Sequence, residues 1–133
     1  MTHITSESID LIKFLQESHR EDAGAIVLFS GETRNHSNGK AVEYLEYEAH
    51  AQMADEKISE IIDSAYSKWP LTLAHCVHRI GRVDIMESAV MVVTASAHRG
   101  DAYEANRYII DRVKREAPIW KNEYFTDGQS AWR

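Results

Sequence analysis

The sequence predicts an α+β fold with a mixed sheet, and three observations support this fold class. Short apolar or alternating runs typical of strands recur along the chain, between stretches with the apolar spacing of amphipathic helices. The two kinds of segment do not follow the strict strand–helix–strand rhythm of a parallel sheet. A chain of 133 residues with 44% hydrophobic content is long enough to bury a core, and we expect one domain over residues 1–133.

The first third of the chain predicts one modest helix and two strands. Apolar residues repeat at helical spacing within residues 8–18. The almost wholly apolar run 24–31 predicts a strand covered on both faces. Residues 41–48 alternate, which predicts a strand with Val42 and Leu45 on opposite faces. The polar loop between the two strands, rich in turn-forming residues, is long enough to join them as a hairpin.

The rest of the chain predicts two longer helices and several strands. The helices are expected at residues 53–68 and 101–116, each with an apolar stripe. Pro118 ends the second helix because its ring clashes one turn back and it has no N–H to donate. The remaining strands are expected at residues 71–79, 83–86 and 89–97 and after Pro118, and a turn at 127–128 leads into a final segment at 129–132.

Two lysines flank Pro118. The proline places Lys114 in the last turn of a helix and Lys121 in the strand that follows, where Lys121 and Glu123 share a face opposite Asn122. Two ammonium groups that converge where a helix meets a strand suit a small anion. The plainer interpretation is a solvated Lys114 at a helix C-terminus and a surface ion pair between Lys121 and Glu123, and spacing alone favours it.

Three further side chains are candidate anion ligands. His98 and Arg99 lie between a predicted buried strand and a predicted helix, and helix N-termini offer free N–H groups to anions. Arg99 can hold a phosphate through two parallel hydrogen bonds. Arg34 lies in a loop after a strand, where binding residues concentrate. Each also has a structural alternative. His98 and Arg99 could be a helix-capping pair with an exposed arginine, and Arg34 could be a solvated loop residue.

Composition excludes several classes of function. A net charge of −6 argues against non-specific nucleic-acid binding, which depends on an excess of Lys and Arg. The apolar runs are too short to span a membrane. Cys76 is the only cysteine, so no internal disulfide can form, and we expect the protein in the reducing cytoplasm. An acidic protein can still hold a local cationic pocket, so an anionic small molecule remains a candidate ligand.

The run His75-Cys76-Val77-His78 has residue types that bind metals but not the spacing of a metal site. Along a strand only Cys76 and His78 share the relevant face, and no second cluster with zinc spacing exists. We therefore expect no metal and no cofactor. Nothing in the sequence around Cys76 would lower its thiol pKa, which argues against a role as nucleophile.

Five segments together resemble one family, the large (catalytic) subunit of molybdopterin synthase, the MoaE family. They occur in the family's order and spacing, and they cover nearly everything from residue 24 to residue 132. His50 departs from the family, which usually has an aromatic residue there, and many family members continue beyond the position of Trp132. The segments are Phe29-Ser30-Gly31-Glu32-Thr33-Arg34-Asn35, Leu45-Glu46-Tyr47-Glu48-Ala49, His78-Arg79-Ile80-Gly81, Ser96-Ala97-His98-Arg99 and Ala117-Pro118-Ile119-Trp120-Lys121-Asn122-Glu123.

The resemblance implies an α/β-hammerhead fold with a mixed, largely antiparallel sheet and about three helices. It implies a homodimer with a small ubiquitin-like subunit docked at each end, which is a heterotetramer. It also implies a sulfurtransferase. The small subunit carries a C-terminal Gly-Gly thiocarboxylate as sulfur donor, and the acceptor is cyclic pyranopterin monophosphate (precursor Z). Two sulfur transfers yield the dithiolene of molybdopterin, in the biosynthesis of the molybdenum cofactor.

The resemblance also implies which residues act. Lys114 is expected to meet the thiocarboxylate tail and stabilise charge at its carbonyl. Lys121 is expected to act as general acid or base, or to stabilise the opening phosphate, with Glu123 orienting it. A lysine does acid–base work near neutral pH only if burial or a neighbouring cation lowers its pKa. The substrate-binding residues are Arg34, His98, Arg99, Asn122 and Glu123.

We expect these side chains to gather in one positively charged cavity, because bringing two anions together needs fixed positive charge. Two other functions remain open at this point. One is a non-catalytic docking protein for a ubiquitin-like tail, which need not keep Lys121. The other is a small phosphate-ester hydrolase, which would turn over its substrate without a partner.

Overall fold

The computed structural model describes residues 2–133, which form three helices and nine strands arranged in two sheets. The elements are short where the chain turns between sheets and long where they cross the core. In chain order they are β1 (Ile4–Thr5), α1 (Leu11–Gln16), β2 (Ala25–Glu32), β3 (His36–Ser37), β4 (Lys40–Ala49), α2 (Ala51–Lys68), β5 (Leu71–Arg79), β6 (Gly81–Asp84), β7 (Ser88–Ser96), α3 (Arg99–Glu116), β8 (Ile119–Phe125) and β9 (Ser130–Trp132).

The first sheet has the strand order β1-β5-β7-β2. Its strands pair antiparallel except for β1, which runs parallel to β5. All nine residues of β7 are buried, as expected for an apolar, β-branched central strand. Helices α2 and α3 cover one face of this sheet, and the short helix α1 packs against the other face.

The two long helices are amphipathic and bury their apolar stripes against each other and the sheet. The buried side of α2 includes Ile58 and Ile61, both fully enclosed, and that of α3 includes Ile109 and Val113. Helix α3 ends just before Ala117, which is extended as expected for the residue before a proline. The chain then turns directly into β8, so the end of the helix and the start of the strand lie side by side.

The second sheet is built around β4, which pairs antiparallel with β8 and with β6. Strand β9 extends it beyond β8. The short strand β3 pairs with the start of β4 through a tight turn in which Asn38 and Gly39 both have positive φ. Asn-Gly is the residue pair that such two-residue hairpin turns favour.

The predicted fold class is confirmed, with three helices and largely antiparallel strands. Strand β5 has the predicted bounds, and the other predicted elements are present with ends that shift by a few residues. The two-residue strands β1 and β3 were not predicted. No helix within residues 2–133 is both long enough and apolar enough to cross a membrane.

Three details of the prediction are wrong. Strands β2 and β4 do not form a hairpin: β2 pairs with β7, and the Asn38-Gly39 turn gives β4 a local partner in β3. Val42 and Leu45 are both buried on one side, because a β-bulge between Val42 and Tyr44 changes the alternation. Strand β2 is half-buried rather than fully covered, because it is an edge strand.

Candidate active site

A pocket of about 510 Å³ lies where the C-terminal end of α3 meets the two sheets. Strands β2, β5 and β7 contribute one wall, and β4 and β8 contribute another. Its ionisable lining is dominated by cations. The lining includes the cationic side chains Arg34, Lys114, Lys121 and Arg133, the carboxylates Glu32 and Glu123, and the histidines His36 and His78.

The local sequence explains why the two lysines converge. Lys114 lies in the last turn of α3, which ends at Glu116, because Pro118 two residues later cannot continue the helix. Lys121 is the third residue of β8, with its side chain on the face that carries Glu123. Tyr47 of β4 pairs directly with Lys121 across the sheet and also lines the pocket.

Lys121 is half-buried, and its environment lowers its pKa below the ordinary value for lysine. The largest cause is burial, which disfavours the charged ammonium. The carboxylate of Glu123 acts in the opposite direction and raises the pKa. Three neighbouring cations lower it further, and these are Lys114, Arg34 and Arg133.

Glu123 is buried, and its ionic partner is Arg133 rather than Lys121. The Arg133 Nε lies 2.7 Å from Glu123 Oε1, although the angles at this contact are outside those of a hydrogen bond. Within residues 2–133, Lys121 and Glu123 form no ion pair at that range. The plainer expectation of a surface pair between these two residues is therefore wrong, because the segment after β9 brings an arginine to the carboxylate.

The backbone of Arg133 is held beside Lys121. Its N–H donates to the carbonyl oxygen of Lys121 at 2.7 Å, and the Lys121 N–H donates in return to the Arg133 carbonyl at 3.3 Å. This reciprocal pair of hydrogen bonds continues the β8–β9 ladder. The arginine side chain therefore starts from a defined backbone position at the rim of the pocket.

His78 contributes a buried, neutral imidazole to the pocket. Its Nδ1 lies 2.8 Å from the carbonyl oxygen of Arg79, and since a carbonyl only accepts, Nδ1 carries the proton. The neutral ring thus presents the lone pair of Nε2. Burial lowers the pKa of His78 to about 4; the bond to Arg79 opposes this, and Lys114 adds to it. The ring of Tyr47 lies edge-on to it, with centroids 4.9 Å apart.

Tyr47 is also a neutral group at neutral pH. Burial raises the pKa of its phenol to about 12, with a further contribution from the negative charge of Glu123. The phenol therefore keeps its proton, and it stands directly across the strand pair from Lys121. The pocket thus combines uncharged polar groups on β4 and β5 with the cations on α3 and β8.

His98 and Arg99 lie elsewhere in the chain. They line an open cavity of about 440 Å³ at the N-terminal end of α3, together with Gly24. Lys114 lies in the last turn of the same helix, about 24 Å away at 1.5 Å per residue. One chain therefore does not gather all the expected anion ligands in one cavity. The side chain of His98 makes no capping hydrogen bond to the helix, so the capping alternative gains no support from it.

Asn122 lies outside the lysine pocket as well. Alternation along β8 points it to the face opposite Lys121 and Glu123, where it is buried. Its Oδ1 atom is buried without a hydrogen-bond partner in the described part of the chain. Arg34, Lys114, Lys121 and Glu123 are thus the sequence-predicted site residues that the fold brings together.

The central strand β5 holds no reactive thiol. Cys76 is completely buried, and burial raises the pKa of its thiol to about 12, so the nucleophilic thiolate is not available. No group of three or more His, Cys, Asp or Glu side chains within residues 2–133 is arranged to hold a metal ion.

Sequence reasoning missed His78, Tyr47 and Arg133. Alternation places His78 on the face of β5 that carries Cys76, and Tyr47 on the face of β4 that carries Leu45, but it does not show what lies over those faces. Those faces point into the helix-covered core and the pocket. No local pattern marks Arg133, because its position depends on how β9 pairs with β8.

The family model described as "MoaE protein" matches residues 4–116 of this chain. The chain belongs to the MoaE family. It is 43% identical over 130 residues to the molybdopterin synthase catalytic subunit of Staphylococcus aureus strain COL, which covers 98% of this chain and 87% of that protein. It is also 43% identical over 129 residues to the protein of that name from Thermoplasma volcanium, with 97% and 94% covered.

A solved structure supports the same family assignment. The crystal structure of molybdopterin synthase from Staphylococcus aureus superimposes with a TM-score of 0.92 at 42% identity, covering 99% of this chain and 96% of that chain. The match extends through both sheets and all three helices, since it leaves almost no residue uncovered. The resemblance seen in the sequence is therefore confirmed, and so is the fold that it implied.

Proposed function

We propose that this MoaE-family chain is the catalytic subunit of a molybdopterin synthase. In this role it transfers sulfur from the C-terminal thiocarboxylate of a small ubiquitin-like subunit to cyclic pyranopterin monophosphate, two sulfurs per product. The observation that carries the proposal is the pocket that Lys114, Lys121 and Arg34 line together. The amine in question is that of Lys121, which is half-buried there. The relatives that bear the name catalytic subunit add to this support.

The charges of the pocket suit a reaction between two anions. The donor is a negative thiocarboxylate and the acceptor carries a cyclic phosphate, so they repel each other unless fixed cations lie between them. In this proposal Lys114, at the end of α3, meets the tail and stabilises negative charge on its carbonyl oxygen. Arg34 can hold a phosphate oxygen from the opposite wall, since a guanidinium offers two parallel donors.

Lys121 is the group that moves protons in this proposal. Its lowered pKa makes a neutral amine available closer to neutral pH than for an exposed lysine. As an amine it can take a proton at the reacting carbon or from a water molecule, and as an ammonium it can return one to the leaving oxygen. Glu123 is paired with Arg133 and does not form an ion pair with Lys121, but its negative charge still raises the pKa of Lys121.

A second copy of the chain can add His98 and Arg99 to the anion ligands of the site. Strand β2 is the terminal strand of the first sheet, with no strand on its outer side within residues 2–133. Gly24, just before β2, lines the cavity of His98 and Arg99, whereas Gly31, near its end, lines the lysine pocket. An exposed strand edge is a template for pairing with another strand.

Antiparallel pairing of two β2 edges about a two-fold axis would place the Gly24 end of one strand beside the Gly31 end of the other. His98 and Arg99 of the second copy would then reach the mouth of the lysine pocket and hold the phosphate and pterin. The homodimer implied by the sequence resemblance is thus also the arrangement that reunites the expected ligands. Asn122 has no place in this pocket, because it faces the other side of β8.

The activity is tested by mixing the purified chain with thiocarboxylated small subunit and precursor Z and measuring the dithiolene product. Lys121→Ala should lower the single-turnover rate by a factor of about 100 or more, while the complex with the small subunit still forms. Lys68→Ala is the matched control, because Lys68 lies in the last turn of α2, away from the pocket. An unchanged rate in Lys121→Ala would refute the catalytic assignment, and turnover without the small subunit would favour the hydrolase.

Shared sites are tested by co-expressing two inactive variants. In a mixed dimer of Lys121→Ala and Arg99→Ala, one site carries both changes and the other carries neither. Equal amounts should therefore restore about a quarter of wild-type activity. The control pair is Lys121→Ala with Lys114→Ala, in which every site keeps one change. Equal recovery in the two pairs, or none in either, would contradict the shared site.

The remaining parts of the proposal concern context. We propose a heterotetramer of two such chains and two small subunits, in keeping with the family resemblance. We also propose that residues 1–133 act as one domain, because both sheets contribute to the same pocket. A cytoplasmic location is proposed as well, supported by a single, buried, free cysteine and no need for a disulfide.

A further inference from the structure

Arg133 and Glu123 form a charge pair that lies directly beside Lys121. Glu123 is 4% exposed, and Arg133 Nε lies 2.7 Å from its Oε1 atom. The backbone of Arg133 is fixed by its two hydrogen bonds to Lys121. The pairing of β9 with β8 therefore brings Arg133 next to Glu123, the carboxylate on the same face of β8 as Lys121.

The groups facing Lys121 come from every element around it, and they do not act equally. Glu123 on β8 favours the ammonium form, whereas Lys114, Arg34 and Arg133 disfavour it. Tyr47 and His78 line the same pocket as neutral groups, because burial raises the pKa of Tyr47 to about 12 and lowers that of His78 to about 4. Glu32 and His36 also line the pocket.

A buried carboxylate two residues from a lysine on the same strand face would ordinarily pair with it and hold it as an ammonium. Here the carboxylate is already engaged. If Arg133 were absent, Glu123 would be a buried unpaired charge, and the nearest cation that could satisfy it would be Lys121. Such a pair would withdraw the amine from the pocket and strengthen its hold on the proton.

We propose that Arg133 is a positioning residue for the proposed reaction: it engages Glu123 and thereby leaves the Lys121 side chain free in the pocket and able to release its proton. The catalytic role of Arg133 rests on the proposed function, whereas its effect on the Lys121 amine does not depend on that function. Arg133 acts through Glu123 and Lys121 and is not itself placed at the reacting atoms.

The test is a pH titration of the Lys121 ε-amine, followed by NMR of lysine side chains in the isotope-labelled full chain. The Lys121 signal is assigned by its absence in Lys121→Arg. In Arg133→Gln the midpoint of the titration should rise by about one pH unit, since a neighbouring cation is lost and Glu123 becomes free to pair with the amine. Arg133→Lys keeps a cation there and should stay within about 0.3 of wild type.

Two further variants make the test specific. Glu123→Gln removes the one charge that favours the ammonium, so the midpoint should move down, opposite to Arg133→Gln. Arg115→Gln removes an equal charge from an exposed position on α3 and should leave the titration unchanged. A midpoint in Arg133→Gln that stays at the wild-type value or falls would overturn the inference, as would a rise in Glu123→Gln.

The rate of sulfur transfer as a function of pH separates this inference from the proposed function. If Lys121 is the base, the ascending limb of the profile in Arg133→Gln should move upward with the NMR titration, and activity should recover at higher pH. A merely structural role of Arg133 would lower activity at every pH instead. If the titration moves and the rate profile does not, Arg133 controls Lys121 as inferred, and the role of Lys121 as base is refuted.

Discussion

The neutral His78 makes stability depend on pH in a way that can be calculated. Its pKa is about 4 in the folded protein and 6.5 in an exposed chain. Between these values the unfolded state binds more protons than the folded state, so stability falls as pH falls. The contribution is present above pH 6.5 and is lost as pH drops toward 4. The full shift corresponds to about 3 kcal/mol, of which about 2 kcal/mol is lost between pH 7 and pH 5.

The assay is urea unfolding at pH 7 and at pH 5, at one protein concentration because oligomer stability depends on concentration. The wild type should lose about 2 kcal/mol more than His78→Gln between the two pH values. Burial also lowers the pKa of His75, but this contribution is common to both proteins and cancels in the difference. Equal losses in wild type and His78→Gln, within about 0.5 kcal/mol, would refute the assignment of a buried neutral imidazole.

Tyr47→Phe is the matched control for this experiment. It keeps the aromatic ring that lies edge-on to His78 and removes only a hydroxyl. Because the pKa of Tyr47 is raised to about 12, this phenol does not titrate between pH 5 and pH 7. The variant should therefore retain the wild-type dependence of stability on pH, whatever its stability at pH 7.

Three other predictions follow from the core. Ile61→Ala should lower the free energy of unfolding by about 2–5 kcal/mol, because Ile61 is fully buried between α2 and the sheet; a loss below about 1 kcal/mol in urea unfolding would contradict this. Cys76 should resist a thiol reagent at pH 8 in the native protein and react in denaturant; rapid native labelling would contradict its burial. Asn106→Ala should lower the free energy of unfolding by about 2 kcal/mol or more in thermal or urea unfolding. The reason is that the Asn106 amide donates hydrogen bonds to the carbonyls of Val27 at 3.1 Å and Val92 at 3.0 Å. An unchanged stability would show these bonds to be dispensable.

Local sequence signals predicted the elements and the lysine junction. Apolar spacing identified α2 and α3, and Pro118 alone placed Lys114 in a last helical turn and Lys121 on the following strand. These features depend on backbone sterics and on side-chain periods within a few residues. The face shared by Lys121 and Glu123 follows from the same rule.

What sequence could not supply is pairing between distant segments. The choice of β7 as the partner of β2 is decided by sheet topology, and the bulge at Val42 shifts one side chain relative to a simple alternation. Arg133 reaches Glu123 only because β9 pairs with β8. A charge pair that depends on strand pairing in this way has no signature in the spacing of residues along the sequence.

The separation of the anion ligands has a functional consequence if the site is shared between two copies. His98 and Arg99 lie at the start of α3 and Lys114 in its last turn, so a rigid helix keeps the two groups of one chain apart. A monomer then holds the lysines and Arg34 without His98 and Arg99, so it should bind precursor Z more weakly than the dimer does. Activity per chain should therefore fall when the protein is diluted below the dissociation constant of the dimer, and it should do so with the helix content unchanged. A chain that kept full activity as a monomer would have to hold the phosphate with cations of the lysine pocket, such as Arg34, and this would leave His98 and Arg99 without a part in the reaction.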